Sequence, residues 1–147
     1  MAIIGFTAST FDLLHAGHIS MLREAKTVCD YLMCALQVNP AIDRNDKKPP
    51  VQSLVERWTQ LQAVKYVDEI IPSEKELEDI LTLFSIDVRI IGEEYKFKEF
   101  TGRSICSVRG IEIYYNQRDH RFSSTDLRER VHGIELKKDV GGLCDVG

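Results

Sequence analysis

The chain has 147 residues, a length that suits a single domain with its own hydrophobic core. Apolar residues make up 44% of the sequence and charged residues 29%, which is the balance of an ordinary globular protein. The formal net charge of -4 argues against a general nucleic-acid-binding protein, because such proteins carry an excess of basic residues. An anionic ligand would therefore have to be held by local positive charge.

The cysteines and the N-terminus favour a reduced, cytoplasmic protein. No C-x-x-C pair and no disulfide-framework spacing is present among the four cysteines, which are Cys29, Cys34, Cys106 and Cys144. The first residues lack the cationic segment and the cleavage site of a signal peptide. The longest apolar runs are far too short to span a bilayer, so no membrane partner is expected.

Five short apolar segments predict β-strands, and helical patterns lie between them. The predicted strands are Ile3–Phe6, Tyr31–Val38, Glu69–Ile71, Val88–Ile91 and Ile111–Tyr115. Apolar residues at helical spacing predict three intervening helices, marked by Ile19, Leu22 and Ala25, by Leu54, Trp58, Leu61 and Val64, and by Leu77, Ile80, Leu81 and Phe84. This alternation predicts a Rossmann-like α/β fold in which a parallel five-stranded sheet carries helices on both faces.

Serine–carboxylate pairs at capping-box spacing mark helix starts. The pairs are Ser53 with Glu56, Ser73 with Glu76 and, in a weaker form, Ser123 with Asp126. The last of them predicts a final helix that extends through Val131. Residues 39–50 are polar and include three prolines, which indicates a mobile loop. The tail from Gly133 shows no periodic pattern and is expected to be frayed.

Two histidines lie where the first strand should give way to the first helix. In an open parallel sheet, ligands bind beyond the carboxyl ends of the strands, and residues 9–18 would lie there. The N–H groups that begin a helix favour an anion, and Gly17 lets the backbone approach it. His15 and His18, at positions i and i+3, can both donate to phosphate oxygens. The stretch therefore predicts a phosphate-binding site, although it is neither a P-loop nor a dinucleotide fingerprint.

The same His-x-x-His spacing could belong to half of a zinc site or to an ordinary helix surface. No cysteine or acidic residue lies nearby at ligand spacing, so no metal site is predicted from these residues.

Four motifs resemble those of the HxGH nucleotidyltransferases, and among them the small cytidylyltransferases. The first is Thr10-Phe-Asp-Leu-Leu-His-Ala-Gly-His18, directly after the first strand. The others follow in the family's order, as Lys65-Tyr-Val-Asp-Glu-Ile-Ile-Pro72, Gly92-Glu-Glu-Tyr95 and Arg118-Asp-His-Arg-Phe-Ser-Ser-Thr125. The chain departs from the family's usual residues at Ser9, Lys65, Glu93, Glu94, Tyr95 and Arg121. The resemblance covers the chain from Ile3 to about Val131 and implies a nucleotidyltransferase domain over residues 1–132. The lack of a periodic pattern after it predicts a flexible C-terminal tail over residues 133–147.

The resemblance implies transfer of a nucleotidyl group, with CTP favoured, to a small phosphorylated alcohol such as glycerol 3-phosphate, with release of pyrophosphate. The catalytic residues that it implies are His15, His18, Arg118 and Lys47, with Lys48 as an alternative to Lys47. The implied nucleotide contacts are Thr10, Phe11, Gly17, Gly92, Glu94, Ser123, Ser124 and Thr125. The implied acceptor contacts are Asp12, Arg57 and Lys65, although Asp12 could instead orient His15, assist a metal ion or cap a turn. The expected cofactor is Mg²⁺, which arrives with a triphosphate and needs few protein ligands, and the expected assembly is a homodimer.

Two alternatives stay open at this point. One is an adenylyltransferase of the same family, which would use ATP. The other is a catalytically silent nucleotide-binding module, against which the presence of both histidines, Arg118 and the Ser-Ser-Thr sequence argues.

Overall fold

Five parallel strands form one sheet in the order β3-β2-β1-β4-β5. The computed structural model describes residues 1–39, 48–74, 77–117 and 121–141. The strands are β1 (Ile4–Ser9), β2 (Tyr31–Gln37), β3 (Glu69–Ser73), β4 (Val88–Gly92) and β5 (Glu112–Asn116). The predicted parallel five-stranded sheet is confirmed, and its main boundary difference is that β1 continues to Ser9 rather than ending at Phe6.

Helices connect the strands, and one of them follows the last strand. They are α1 (Ala16–Thr27), α2 (Leu54–Gln62), α3 (Leu77–Leu83), α4 (Arg103–Arg109) and α5 (Ser124–Gly141), with a 3₁₀ turn at Glu93–Tyr95. The sequence did not predict α4, because its serine and β-branched residues are weak helix formers. Its limits are instead set by Gly102 and Gly110, whose φ angles of 88° and 69° lie in the left-handed region.

The helix α5 is longer than the sequence predicted. It continues to Gly141 instead of ending at Val131. Gly133 lowers helix propensity without breaking the helix, and the residues after it include the good helix formers Glu135 and Lys138, which form an ion pair at 3.7 Å. The described part of the expected C-terminal tail is therefore helical as far as Gly141.

The two faces of the sheet bury separate apolar clusters. Alternation along β2 sends Leu32, Cys34 and Leu36 into the cluster that α1 and α2 cover, whereas Met33 and Ala35 join the cluster beneath α3 and α4. The predicted arrangement of helices on both faces is confirmed. None of the described helices is long and apolar enough to cross a membrane.

The first two of the three predicted helix starts differ in outcome. Ser53 caps α2 as expected, because its Oγ accepts from Glu56 N at 3.2 Å while Glu56 Oε1 accepts from Ser53 N at 3.1 Å. Ser73 is instead the last residue of β3, and α3 begins at Leu77. Glu76 and residues 40–47 of the predicted loop lie outside the described residues.

Aspartates anchor the amino edge of the sheet, opposite the edge that carries the candidate site. Each precedes a strand and accepts a hydrogen bond from a backbone N–H of another segment. These bonds join Ile3 to Asp30, Ile4 to Asp87 and Leu32 to Asp68, at 2.7, 2.8 and 2.8 Å. These three contacts hold the amino edge of the sheet, whereas the candidate site lies at the carboxyl edge.

Candidate active site

The β1–α1 loop, residues 10–15, lies at the switch point of the sheet. β1 pairs with β2 on one side and with β4 on the other, so this loop leaves the carboxyl edge next to the end of β4 at Gly92. The first turn of α5 reaches the same place, because Ser124 Oγ donates to the Asp12 carbonyl at 3.2 Å. The geometry brings together the N-termini of α1 and α5, both of which attract anions.

The two histidines cap α1 reciprocally. His15 Nδ1 accepts from Gly17 N at 2.9 Å, and His18 Nδ1 accepts from His15 N at 3.2 Å. Their ring centroids are 4.0 Å apart. A neutral imidazole that accepts at Nδ1 carries its proton on Nε2. Both rings are therefore fixed in the tautomer whose Nε2–H can donate to a phosphate oxygen.

Backbone strain surrounds the start of this loop. Phe11 and Leu13 both have φ angles of 50°, which non-glycine residues adopt at a cost of about 1–3 kcal/mol each. Hydrogen bonds hold the strained residues, since Phe11 N donates to Ser9 Oγ at 3.4 Å and Leu13 N donates to Gln52 Oε1 at 2.8 Å. The Phe11 ring is fully buried and lies 5.8 Å from the His18 ring. Neither the ring nor the backbone of Phe11 is exposed in this structure, and the nucleotide contact predicted for this residue stays a prediction.

Asp12 ties three segments together at the base of the site. Its side chain is buried, and its oxygens accept from Val51 N at 2.8 Å, from Gln52 N at 2.9 Å and from Arg128 Nη2 at 2.6 Å. Burial alone would raise the pKa of this carboxyl, but the two backbone hydrogen bonds and Arg128 hold the pKa below the ordinary value of 3.8. With both oxygens engaged, Asp12 is placed to position the loop rather than to contact the acceptor as predicted.

We expect Asp12→Asn to remove part of the acid sensitivity of the fold. A carboxyl whose pKa is depressed in the folded state stabilises the protein above its unfolded pKa, and this stabilisation is lost as the pH falls through the folded value. The difference in unfolding free energy between the parent and Asp12→Asn should thus be largest above pH 3.8 and should shrink below it. Urea unfolding at a series of pH values measures this difference. A constant difference across the acid range would contradict the assignment.

Arg57 is a structural residue in this fold, which corrects its prediction as an acceptor contact. Only 2% of the residue is exposed. Its guanidinium donates to four backbone carbonyls, those of Gln52, Thr10, Gln37 and Val38, at 3.2, 3.0, 2.5 and 2.8 Å. It therefore joins the ends of β1 and β2 to the segment before α2, where a bound phosphate would have to displace these contacts.

Lys65 lies away from the site in this chain, which corrects a second predicted acceptor contact. It follows α2 and precedes β3, so it belongs to the amino edge of the sheet, whereas the histidine loop belongs to the carboxyl edge. Its side chain is exposed, with Nζ 5.2 Å from the centre of the Tyr66 ring. The match of residues 65–72 to the family motif did not indicate whether Lys65 would lie at the amino edge or at the carboxyl edge of the sheet.

Several of the predicted nucleotide contacts do lie along the carboxyl edge. They are Thr10, Gly17, Gly92, Glu94, Ser123, Ser124 and Thr125. The Glu94 carboxylate folds over Gly92, since a Cβ atom at position 92 would lie 2.3 Å from Glu94 Oε2. Ser123 Oγ accepts from Asp126 N at 3.0 Å and caps α5 as its spacing predicted. The contacts of these residues to a nucleotide stay predictions.

Two predicted catalytic cations, Lys47 and Arg118, lie outside the described residues. The alternative to the first, Lys48, is exposed at the start of the segment that leads to Val51. The phosphate roles assigned to these cations stay predictions.

The described residues do not supply a ready metal site. No group of three or more His, Cys, Asp or Glu side chains is arranged to hold a metal ion within the described ranges. Asp12, the acidic residue closest to the histidines in sequence, uses its oxygens for Val51, Gln52 and Arg128.

Sequence analysis missed two residues that organise the site, Arg128 and Gln52. Arg128 lies in a basic C-terminal stretch with Arg121 and Arg130, a pattern that favours a solvated patch, and nothing in its spacing indicates that it meets Asp12. Gln52 precedes the cap of α2 and carries no recognisable motif. Only the structure shows what Gln52 does: its Oε1 accepts a hydrogen bond from Leu13 N at 2.8 Å and so holds the β1–α1 loop.

Comparisons with known proteins agree with this geometry. Residues 6–130 match the family described as cytidylyltransferase-like. The chain is 33% identical over 131 residues to the glycerol-3-phosphate cytidylyltransferase of Bacillus subtilis, covering 87% of this chain and 96% of that protein. It is 30% identical over 133 residues to the glycerol-3-phosphate cytidylyltransferase of Staphylococcus aureus, covering 89% and 96% of the two chains.

The fold is also shared with a solved structure of low sequence identity. The lipopolysaccharide core biosynthesis protein from Thermoplasma volcanium GSS1 superposes with a TM-score of 0.68 at 22% identity, covering 82% of this chain and 100% of that one. The match over residues 6–130 and the two relatives indicate one family, and the fold is consistent with it. The chain belongs to the cytidylyltransferase-like family and is an enzyme of the nucleotidyltransferase class.

Proposed function

We propose that this enzyme transfers a cytidylyl group from CTP to a small phosphorylated alcohol such as glycerol 3-phosphate. A phosphate oxygen of the acceptor forms a bond to the α-phosphorus of CTP. The bond between that phosphorus and the oxygen bridging to the β-phosphate breaks, and pyrophosphate leaves with the electron pair. The products are a CDP-alcohol and pyrophosphate.

The observation that carries this proposal is the reciprocal capping of α1 by His15 and His18. Because each Nδ1 accepts a backbone N–H, a neutral ring carries its proton on Nε2, the nitrogen that we propose donates to a phosphate oxygen in the complex. The rings lie at the N-terminus of α1, and Ser124 brings the N-terminus of α5 to the same loop. Four sources of partial positive charge thus converge on the carboxyl edge of the sheet.

Such a site suits a reaction between anions. The acceptor phosphate is already ionised, so the attack needs no general base. The barrier comes from repulsion between the reactants and from negative charge that develops on the leaving pyrophosphate. Preorganised donors aimed at that charge lower the barrier, and positioning of the two substrates lowers it further.

Mg²⁺ in this proposal accompanies the triphosphate rather than occupying a protein cage. The ion keeps several waters and binds phosphate oxygens readily. The proposal also includes a homodimer, as the family resemblance implies, and a cytoplasmic location, which the scattered cysteines favour. Sedimentation of the purified chain measures the first of these.

We expect CTP to bind more tightly than ATP and to be the better substrate. Support comes from the two relatives named glycerol-3-phosphate cytidylyltransferase. A site that hydrogen-bonds one base rejects a base lacking the matching groups, because its own polar atoms would stay unsatisfied. Pyrophosphate release from CTP, ATP, GTP and UTP with glycerol 3-phosphate and other small phosphate monoesters measures the preference, and calorimetry measures binding. Turnover with ATP alone would make the chain an adenylyltransferase, and binding without pyrophosphate release from any of these acceptors would make it a silent module.

Two variants examine how the base is read. Glu94→Gln removes the negative charge while keeping the shape of the side chain, and Gly92→Ala pushes the same carboxylate away because the new Cβ would take its place. If Glu94 accepts from the cytosine amino group, both changes should weaken CTP binding by about 10-fold, the range of one hydrogen bond to a charged group. Unchanged CTP binding in both variants would mean that other groups read the base.

A further inference from the structure

We propose that Arg128 is a positioning residue that locks the strained β1–α1 loop through Asp12 and so sets the directions of His15 and His18. The proposal rests on the nucleotidyl transfer described above, for which it adds a residue outside the predicted catalytic and binding set. Arg128 lies on α5, 116 residues from Asp12 along the chain.

The contact between α5 and the loop has two points, one helical turn apart. Ser124 Oγ donates to the backbone carbonyl of Asp12 at 3.2 Å, and Arg128 Nη2 donates to Asp12 Oδ2 at 2.6 Å. The Arg128 side chain is 36% exposed and that of Asp12 is 6% exposed. The carboxylate is thus largely removed from water, and an ion pair at such a site is stronger than one on the open surface.

The residue held in this way is the centre of the strained loop. Phe11 and Leu13, on either side of Asp12, both have φ angles of 50°. Strained residues keep such angles only when the surrounding contacts determine them. The Asp12 oxygens supply these contacts, because they also accept from Val51 N and Gln52 N, and Gln52 in turn holds Leu13 N.

The histidines follow this loop directly. His15 is two residues beyond Leu13, and its backbone N–H is the group that His18 Nδ1 accepts. If the loop relaxes, the reciprocal caps and the directions of both Nε2–H groups change together. Arg128 acts on the reaction through this relay, without a contact to the substrates being required.

The chain offers a conservative variant and a matched control. Arg128→Gln removes the ion pair, whereas Arg128→Lys keeps a positive charge that can still reach the carboxylate. The Arg128 Nε–H is buried without a hydrogen-bond partner among the described residues. Lysine lacks this N–H group, so the substitution removes no hydrogen bond at that position. Arg130, on the same helix, forms an exposed pair with Asp126 at 3.6 Å, and Arg130→Gln is the control.

The experiment compares steady-state kinetics of the full chain and its variants well below their unfolding temperatures. For Arg128→Gln we expect kcat to fall by about 10- to 100-fold, the cost of misplacing reacting groups by about an ångström. KM for CTP should change by less than about threefold, because helix N-termini and other phosphate contacts remain. Arg128→Lys should recover most of the rate, and Arg130→Gln should match the parent.

Hydrogen exchange of the chain without nucleotide provides the second readout. In Arg128→Gln the amides of His15, Gly17, Val51 and Gln52 should exchange about 10-fold faster, since local opening of this loop becomes easier. Amides at the amino edge, such as that of Leu32, should not change. The effect should disappear when Asp12→Asn is already present, because the two residues act as one unit.

The outcomes separate the two proposals. A kcat within twofold of the parent for Arg128→Gln, an equal loss for Arg130→Gln, or unchanged exchange at the loop amides would overturn the positioning role. If the parent releases no pyrophosphate with any triphosphate, the proposed function fails, and the exchange comparison still decides whether Arg128 holds the loop.

Discussion

Replacing His18 with alanine is expected to lower kcat by about 100- to 1000-fold, the loss seen when one preorganised donor to a developing charge is removed. The dissociation constant of CTP should change far less. The charge on the leaving pyrophosphate grows as the bond to the α-phosphorus breaks, so a donor at that position contributes more in the transition state than in the ground state. Single-turnover kinetics together with calorimetry separate the two effects.

The structure gives His18 a second role that the experiment has to separate from the first. Its Nδ1 accepts from His15 N at 3.2 Å, so alanine removes a helix cap as well as a phosphate donor. Asparagine can place an acceptor near the Nδ1 position, and glutamine can place an N–H donor near the Nε2 position. If the phosphate contact dominates, His18→Gln should retain more activity than His18→Asn.

A control and a coupled variant complete this prediction. His132 is exposed on α5, and His132→Ala should leave kcat unchanged. His15→Ala should be similarly damaging, and the double variant should lose less than the product of the two single losses, because both rings belong to one cap. A His18→Ala enzyme with unchanged kcat and a raised KM would show that the ring merely binds the triphosphate in its ground state.

Much of the fold could be predicted from local patterns in the sequence. Short apolar runs located all five strands, because helices cover both faces of a parallel sheet and its strands are then nearly continuous in apolar residues rather than alternating. Ser53 with Glu56 marked the start of α2, because a capping box depends on a few neighbouring residues alone. The weakly helical α4 was missed because two left-handed glycines define it and propensity does not.

The site was predictable where it is local and unpredictable where it is assembled from distant residues. The spacing of His15 and His18 relative to the first strand is sufficient to place them at the start of α1. Nothing in the sequence shows that Asp12 will meet Arg128, because that contact depends on how α5 returns to the sheet. The same limit explains Arg57, whose surroundings come from three separate segments.

Replacing Arg57 with leucine is expected to destabilise the fold by at least about 3 kcal/mol, because each buried acceptor left without a donor costs about 1–3 kcal/mol. Four carbonyl oxygens lose their guanidinium donor in this variant, and the residue is only 2% exposed. For a chain of this size the loss corresponds to a fall in Tm of about 6–12 °C. Thermal unfolding measured by circular dichroism gives the value.

Arg57→Lys distinguishes this structural role from acceptor binding. Lysine keeps the positive charge, but its three donors cannot reproduce a planar fork that reaches four carbonyls. We expect a clear loss of stability in this variant as well. An arginine that bound the acceptor phosphate from the surface would instead give a raised KM for glycerol 3-phosphate with an unchanged Tm.

The matched control is Arg109, an exposed residue in the last turn of α4. Arg109→Lys and Arg109→Leu should leave Tm within about 2 °C of the parent, because surface substitutions usually change stability by less than about 0.5 kcal/mol. Addition of glycerol 3-phosphate with CTP provides the final comparison, since a ligand stabilises whichever folded protein it binds. Arg57→Lys should start from a lower Tm than the parent and gain a similar increment from the ligands. A variant that starts at the parent's Tm and loses the increment would return Arg57 to the acceptor site.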